Sequence, residues 1–326
     1  MPELPEVETI KLGLSKKIVG LKISKIQIIS PKSFIGSTKK VEGQKVLKIW
    51  RRAKILGIDL SSSLRDHKVA KQSKSEIATS PSAPRNDSDI TLLIHLKMSG
   101  QIIYVPNYKR LTINNERFVG GHPTSDMLGK LPNSHTRVIF TFSDPLRPRS
   151  EASGSKLYFN DQRRFGWVRV VNSSSLIDNS SLKNLGPEPL EKSFTWQILR
   201  NNLLKHKSQP VKVAIMDQSI VAGVGNIYAS EACFNAGLDP RTKVSQLTDK
   251  DMKSLHRGVL KALRAGIKHG GATRAHFVDP EGRKGYFLDY AKVYWKNGKP
   301  CPNCRTEIKK ITLGGRGTYF CPKCQV

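Results

Sequence analysis

The sequence predicts a multidomain α+β protein. An N-terminal helix is followed by about eight short strands in a two-sheet sandwich or barrel, then a helical domain, then a cysteine-rich module. Three observations carry this. The apolar pattern changes period twice, from helical at 7–18 to short runs over 21–172, and back to helical after 191. Four of the five cysteines form two Cys-x2-Cys pairs near the C-terminus. At 326 residues the chain is long enough for two domains with separate cores.

The first element is read from Val7, Ile10, Leu14 and Ile18, spaced three and four apart as one face of a helix. Gly20 follows and stops it. Strands are expected near 21–30, 45–51, 54–60, 90–97, 100–105, 136–142, 156–160 and 166–172, all rich in Ile, Val, Leu and aromatics. Within 54–60, Leu56, Ile58 and Leu60 alternate with Ile55, Gly57 and Asp59, as a strand requires. Two stretches, about 61–89 and 143–156, are rich in Ser, Pro and charge, and are expected to be poorly ordered loops between strands. These elements make up a first domain over 1–172, joined by a Ser-, Asn-, Gly- and Pro-rich linker at 173–190 to a helical domain at 191–292. Its helices are expected at 193–205, 210–217, 226–236 and 248–268. In the last, Thr248 and Asp251 form a capping box ahead of a stripe of Met252, Leu255, Val259, Leu263 and Ile267. That stripe is core packing.

The final module, 293–326, holds Cys301-x2-Cys304 and Cys321-x2-Cys324 with 16 residues between the pairs. Two such pairs place four thiolates at the corners of a tetrahedron, which suits Zn²⁺. Two disulfides and an iron–sulfur site are the alternatives. With sulfur at all four corners, no position is left for a substrate water, so the metal is structural. Segments 307–313 and 317–320 read as strands joined through Gly314-Gly315, with Arg316 at the turn, free to bind phosphate or simply solvated.

Charge narrows the function. Lys and Arg number 55 against 26 Asp and Glu, a net charge of +29. A field of that size attracts polyanions, nucleic acid above all; an anionic membrane surface or a merely basic protein are the competing explanations. No segment approaches the ~18–20 apolar residues needed to span a bilayer. The acidic, proline-rich start is the opposite of a secretory signal. A reduced, cytoplasmic setting is therefore expected, nucleoid-associated if the partner is DNA.

The chain begins MPELPEVETI. Removal of the initiator methionine would leave Pro2 as a secondary amine, which forms a cationic iminium on a sugar C1′ without losing a further proton. An α-amine titrates near 8 against about 10.4 for lysine, so it supplies more free base near neutrality. Glu3 is adjacent and able to act as acid and then base.

MPELPEVET resembles the opening of the bacterial formamidopyrimidine-DNA glycosylases, also called 8-oxoguanine DNA glycosylases. The resemblance continues through RRAK (51–54), HLKMSG (95–100), DQRRFG (161–166), LGPEPL (185–190), GVGNIYASE (223–231), Gly270-Gly271, GYF (285–287) and the zinc module, in the family's order. It implies a β-sandwich, a helix-two-turn-helix domain and a zinc-ribbon hairpin. It also implies a bifunctional glycosylase and lyase acting on oxidised purines in damaged double-stranded DNA, working as a monomer. By the same resemblance Pro2 is the Schiff-base nucleophile, Glu3 the general acid/base, and Lys54 a phosphate contact that assists catalysis. Met98, Arg163 and Phe165 fill the gap left by a flipped base. Asn226 and Arg316 grip phosphate, Asn226 at a helix start whose backbone N–H groups also suit one. His95 lies near phosphate and Arg164 beside it in the basic run.

Each residue also has a plain alternative: a core place for Met98 and Phe165, a satisfied interior histidine for His95, a solvated charge for Lys54 and Arg164. Two positions depart from the family: Lys97 stands where glycine is usual in HLGMSG, and Gln162 where proline is usual in DPRRFG. The segment 273–286 resembles the loop that covers 8-oxoguanine. An endonuclease VIII-type enzyme for oxidised pyrimidines, which usually opens Pro-Glu-Gly-Pro-Glu, and a non-catalytic zinc-ribbon DNA-binding protein are the competing functions. If DNA is the partner, affinity must fall steeply as salt rises, which a titration by fluorescence anisotropy measures; a flat response would refute a phosphate-dominated interface.

Overall fold

The computed structural model describes residues 1–61, 90–107, 117–122, 129–150, 152–176, 178–272 and 287–326. Helix α1 (Leu4–Ile18) has Pro5 in its first turn and Glu6 at N3, whose carboxylate accepts the backbone N–H of Glu3 at 2.7 Å. Val7, Ile10, Leu14 and Ile18 are buried along one face, as their spacing requires.

Among the described residues ten strands follow: β1 (Lys22–Ile28), β2 (Phe34–Ile35), β3 (Lys45–Arg52), β4 (Ile55–Ser61), β5 (Ile90–His95), β6 (Gly100–Val105), β7 (Phe118–Gly121), β8 (Thr136–Ser143), β9 (Lys156–Asp161) and β10 (Trp167–Asn172). Their hydrogen-bonded order is β2-β10-β5-β4-β3-β1-β8-β9-β6-β7. β1 meets β3 through the single pair Lys22↔Lys45, so the ladder divides there into two halves. Both halves and α1 line one core: Ile49, Ile58, Leu92 and Val168 from one side, Ile23, Val138, Phe140 and Phe159 from the other. That is the packing of a sandwich. β2 and β7 add to the eight strands expected. β2 has two residues and pairs in parallel with β10, and β7 ends in two glycines, so neither carries enough alternation to be read as a strand. Gly57 in β4 is required by packing: a Cβ there would lie 2.2 Å from the indole of Trp50.

The expected loop at 143–156 carries local hydrogen bonds over its described residues. The Asp144 carboxylate accepts the N–H of Leu146 and Arg147, both at 3.1 Å, and the Ser150 hydroxyl at 3.0 Å. Most of the other expected loop, 62–89, and the segment 273–286 lie outside the described residues.

Past β10 the chain enters α2 (Ser180–Lys183), α3 (Trp196–Leu203), α4 (Val211–Ala214), α5 (Asn226–Ala236), α6 (Asp249–Lys268) and α7 (Phe287–Tyr290). The Thr248 and Asp251 capping box opens α6, and Met252, Leu255, Val259 and Leu263 are buried against α5. Leu4 belongs to this second core, although it sits on α1. The N-terminus is therefore plugged into the helical domain while the rest of α1 packs on the sandwich.

The segment between β10 and α3, expected as a plain linker, carries a strong tie. Glu188 is buried and bridges Arg51 through two bonds of 2.9 and 2.8 Å, and it accepts the N–H of Ala53. Arg51 also pairs with Glu8 on α1 at 2.8 Å. At the C-terminus, β11 (Lys309–Leu313) and β12 (Arg316–Phe320) form a hairpin turned by Gly314-Gly315, both at positive φ. Its small core is shared with Phe234 of α5. Glu231 of α5 accepts the backbone N–H groups of Lys292, Val293 and Tyr294, which seats the hairpin module on that helix.

Removing one partner of a buried ion pair strands the other in low dielectric. Glu188→Ala should therefore destabilise the fold by about 3–5 kcal/mol in urea denaturation. A loss under 1 kcal/mol would show that Arg51 finds water or another acceptor.

Candidate active site

The site forms where the N-terminus meets the start of α5. The loop before that helix, Gly223-Val224-Gly225, receives the chain terminus from one side. Leu4 donates its N–H to the Gly223 carbonyl at 3.0 Å. The Glu3 carboxylate caps α5, accepting the N–H of Ile227 at 3.0 Å and of Tyr228 at 3.4 Å. These belong to the first turn, whose N–H groups have no partner within the helix, and the dipole adds to the attraction. A Cβ at Gly225 would lie 2.4 Å from the Glu3 carboxyl carbon, so only glycine admits the cap. One expectation is corrected here. The N–H groups of Ile227 and Tyr228 face the chain's own carboxylate, which is nearer and held by α1, and are not open to a phosphate.

Lys54 arrives from the other side. It is the second residue of a two-residue hairpin turn between β3 and β4, and Ala53 before it takes φ 52°. Lys54 is buried and donates to the Val224 carbonyl at 2.9 Å, so it is not a solvated charge. Below these groups Glu6 accepts the Tyr228 hydroxyl at 2.7 Å and the Ala272 N–H at 2.6 Å.

The terminal amine, carried here by Met1, is surrounded by Glu3, Glu6, Lys54 and Arg316. Burial lowers its pKa; Glu3 and Glu6 oppose this, while Lys54 and Arg316 reinforce it. Burial raises the pKa of Glu3 against the pull of Lys54. Burial lowers that of Lys54 against the pull of Glu3. An acid held protonated to higher pH and amines held free to lower pH thus share one pocket, the pattern of acid–base catalysis. Pro2 is buried beside them.

Asn226, at N1 of α5, accepts a hydrogen bond from Lys212 and donates to the Gly317 carbonyl of the zinc hairpin at 3.0 Å. Lys212 is fully buried, which pushes its pKa down to about 8. Arg316 is exposed at the hairpin end, its guanidinium charge felt by the amine, Lys54 and Lys212. The cysteine sulfurs lie within 4.8 Å of one another, with Cys301–Cys324 at 3.8 Å and Cys304–Cys321 at 3.4 Å. A tetrahedron with Zn–S bonds of about 2.3 Å has edges of about 3.8 Å, so the four thiolates fit one structural zinc.

The expected gap-filling residues lie on two neighbouring turns. Met98 is half-buried, and Arg163, Arg164 and Phe165 are exposed. Phe165 is 54% exposed, which rules out a core place, and the Arg163 guanidinium lies 5.2 Å from its ring. Buried Asp161 organises both turns: it accepts the Ser99 hydroxyl at 2.5 Å, the Arg163 N–H at 3.2 Å and the Gly166 N–H at 2.6 Å. Lys97 and Arg164 both stand at positive φ, 51° and 57°.

His95 is half-buried and edge-on to Trp167 at 5.7 Å. Its Nδ1 accepts the Lys97 N–H at 3.1 Å, which places the neutral ring's proton on Nε2. Burial, then Lys97 and Lys54, push its pKa down to about 3. A cavity of about 260 Å³ adjoins it, lined by Lys54, His95, Lys97, Ser181 and Gln218 among others.

Sequence reasoning missed Glu6, Asp161, Glu188 and Lys212 as working residues. The first three sit inside quoted motifs, MPELPEVET, DQRRFG and LGPEPL, and a buried charge inside a motif was the available signal. Lys212 carried none, since only the fold reveals its burial.

Residues 1–168 match the family described as Formamidopyrimidine-DNA glycosylase N-terminal domain, 185–277 that of the Formamidopyrimidine-DNA glycosylase H2TH domain, and 298–326 the zinc finger found in FPG and IleRS. The chain is 33% identical over 330 residues to the formamidopyrimidine-DNA glycosylase of Pelotomaculum thermopropionicum, covering 100% of this chain and 99% of that one. A Lactococcus lactis FPG mutant in complex with Fapy-dG containing DNA superposes with a TM-score of 0.76 at 27% identity over 99% of both chains. The MutM (FPG) protein of Thermus thermophilus gives 0.74 at 29% identity, over 99% of this chain and 98% of that one.

His95 makes stability depend on pH. Its folded pKa, about 3, is below the 6.5 of the free side chain. The unfolded state therefore takes up the proton first, so the contribution is complete above about pH 6.5 and is lost as pH falls towards 3. Urea denaturation at about pH 7.5 and about pH 5 should show a drop that His95→Gln reduces; an equal drop in both proteins would contradict this.

Proposed function

Because the chain belongs to the formamidopyrimidine-DNA glycosylase family, we propose that it excises oxidised purines such as 8-oxoguanine and formamidopyrimidines from double-stranded DNA and then cleaves the strand. One observation carries the reading: the terminal amine, carried by Met1 next to the buried Pro2 and with a lowered pKa, lies among Glu3, Glu6 and Lys54 at the capped start of α5. DNA binding alone needs no such group.

In this reading the initiator methionine is removed and Pro2 attacks C1′ of the flipped nucleoside. The C1′–N bond breaks and the base leaves with its electron pair, and the proton that the Pro2 nitrogen gives up on bonding to C1′ balances the one the base takes up. Glu3, whose pKa burial raises, gives its proton to the sugar ring oxygen. The ring opens, leaving an iminium between Pro2 and C1′. That cation makes the C2′ proton acidic. Its removal expels the 3′ phosphate, and a second elimination expels the 5′ phosphate, leaving a one-nucleotide gap. Hydrolysis of the iminium frees Pro2.

Lys54 holds a phosphate near the lesion and assists the proton transfers. His95 adds a neutral donor and Arg164 a charge beside the strand. Met98, Arg163 and Phe165 occupy the space of the extruded nucleotide, which offsets part of the unstacking cost. Asn226 and Arg316 hold phosphates around it, Arg316 from a hairpin whose shape depends on zinc. The lesion enters between the β-sandwich and the helical and zinc modules. The protein acts as a monomer, in a cytoplasmic and nucleoid-associated setting, and among the described residues no helix is long and apolar enough to cross a membrane.

Borohydride trapping on a duplex with 8-oxoguanine opposite cytosine tests the chemistry. A covalent adduct is expected, lost when the N-terminus is extended or its amine acylated, and reduced in Pro2→Gly, whose primary amine can still condense, with DNA binding largely kept. Binding without any adduct would instead favour a non-catalytic DNA-binding protein. An adduct only with an oxidised-pyrimidine duplex would favour an endonuclease VIII-type range.

A further inference from the structure

The cavity of about 260 Å³ beside His95 has ample room for a phosphate group, and among the described residues that line it none is acidic. Lys54 and Lys97 both line it, with the neutral His95 between them in the chain. Lys97 stands at φ 51°, a left-handed conformation that a side chain with a Cβ adopts against steric cost and that glycine adopts freely. The strained turn has two effects. It points the Lys97 N–H at His95 Nδ1, leaving the Nε2 proton as donor, and it brings the ammonium close enough to oppose protonation of both His95 and Lys54. Lys97 itself is half-buried. With Lys54 and Lys97 lining one space, each disfavours the charge of the other, and an anion between them would relieve that and favour both charged forms.

We propose that Lys97 is a further DNA-binding residue, holding one backbone phosphate of the damaged strand in this cavity together with Lys54. A glycine at this position would serve the turn at lower cost, so the charge is what the lysine adds. The proposal rests on duplex DNA being the substrate. It gives this chain one more phosphate contact next to Met98, on the turn that Ser99 ties to Asp161.

The test compares the zinc-loaded full chain with Lys97→Gly and Lys97→Arg, by anisotropy on the 8-oxoguanine duplex across a range of KCl concentrations. Lys97→Gly should make the slope of log affinity against log salt shallower by about 0.9, the worth of one phosphate, while Lys97→Arg keeps it. Its melting temperature should be equal or higher, because the left-handed strain is gone. Neutral methylphosphonate placed at one linkage at a time should identify a single linkage that weakens the parent protein several-fold and leaves Lys97→Gly unaffected. An unchanged slope with the same methylphosphonate pattern would overturn the proposal, as would a lowered melting temperature with uniform loss across all linkages. Failure of the parent protein to bind the duplex at all would overturn the functional reading, and this inference with it.

Discussion

The carboxylate of Glu3 on the open end of α5 is the interaction on which the rest of the molecule depends. It spans 224 positions of sequence and joins the first residues of the sandwich domain to the helical domain. Several unrelated features follow from it. Gly225 must lack a side chain, Leu4 must leave the face of α1 and enter the helical core, and the Val224 carbonyl is turned to receive Lys54. A helix start offers several unpaired N–H groups, and a buried carboxylate is the partner that satisfies them most strongly.

The same burial that makes this cap strong tunes the chemistry around it. Charge in a low-dielectric pocket is costly, so a carboxyl is pushed towards its neutral form and an amine towards its free base. Glu3 and the terminal amine each shift in the direction the proposed reaction needs. Glu6 anchors the arrangement through Tyr228 and Ala272. The pocket is thus stabilised by backbone donors and an aromatic hydroxyl.

Two further ties hold the modules in register around the pocket. Glu188 gathers Arg51 and the Ala53 N–H, which fixes the turn that presents Lys54. Glu231 and Asn226, on α5 itself, hold the zinc hairpin through backbone groups of 292–294 and Gly317. The one helix therefore receives the Glu3 carboxylate at its start and, through Asn226 and Glu231, holds the hairpin that carries Arg316. Zinc acts at a distance, by keeping that hairpin folded over a core of only a few apolar residues.

Local physics was legible in the chain. The three- and four-residue spacing of α1 and α6, the alternation in β4, the capping box at Thr248 and the paired cysteines each depend on residues close in sequence, and each appears in the structure where the pattern places it. The motifs also pointed to Glu3 and Lys54, because their order along the chain resembled one family. Tertiary structure alone decided the rest. β2 and β7 are too short to show a period and exist only through their partners β10 and β6. The left-handed turn at Lys97, the joining of two turns by Asp161 and the burial of Lys212 come from contacts between distant segments. So does the loss of the α5 N–H groups to Glu3, where sequence alone suggested a phosphate. Periodicity reports which face of an element is apolar; what faces a buried charge is set by where the chain returns, and that is a property of the fold.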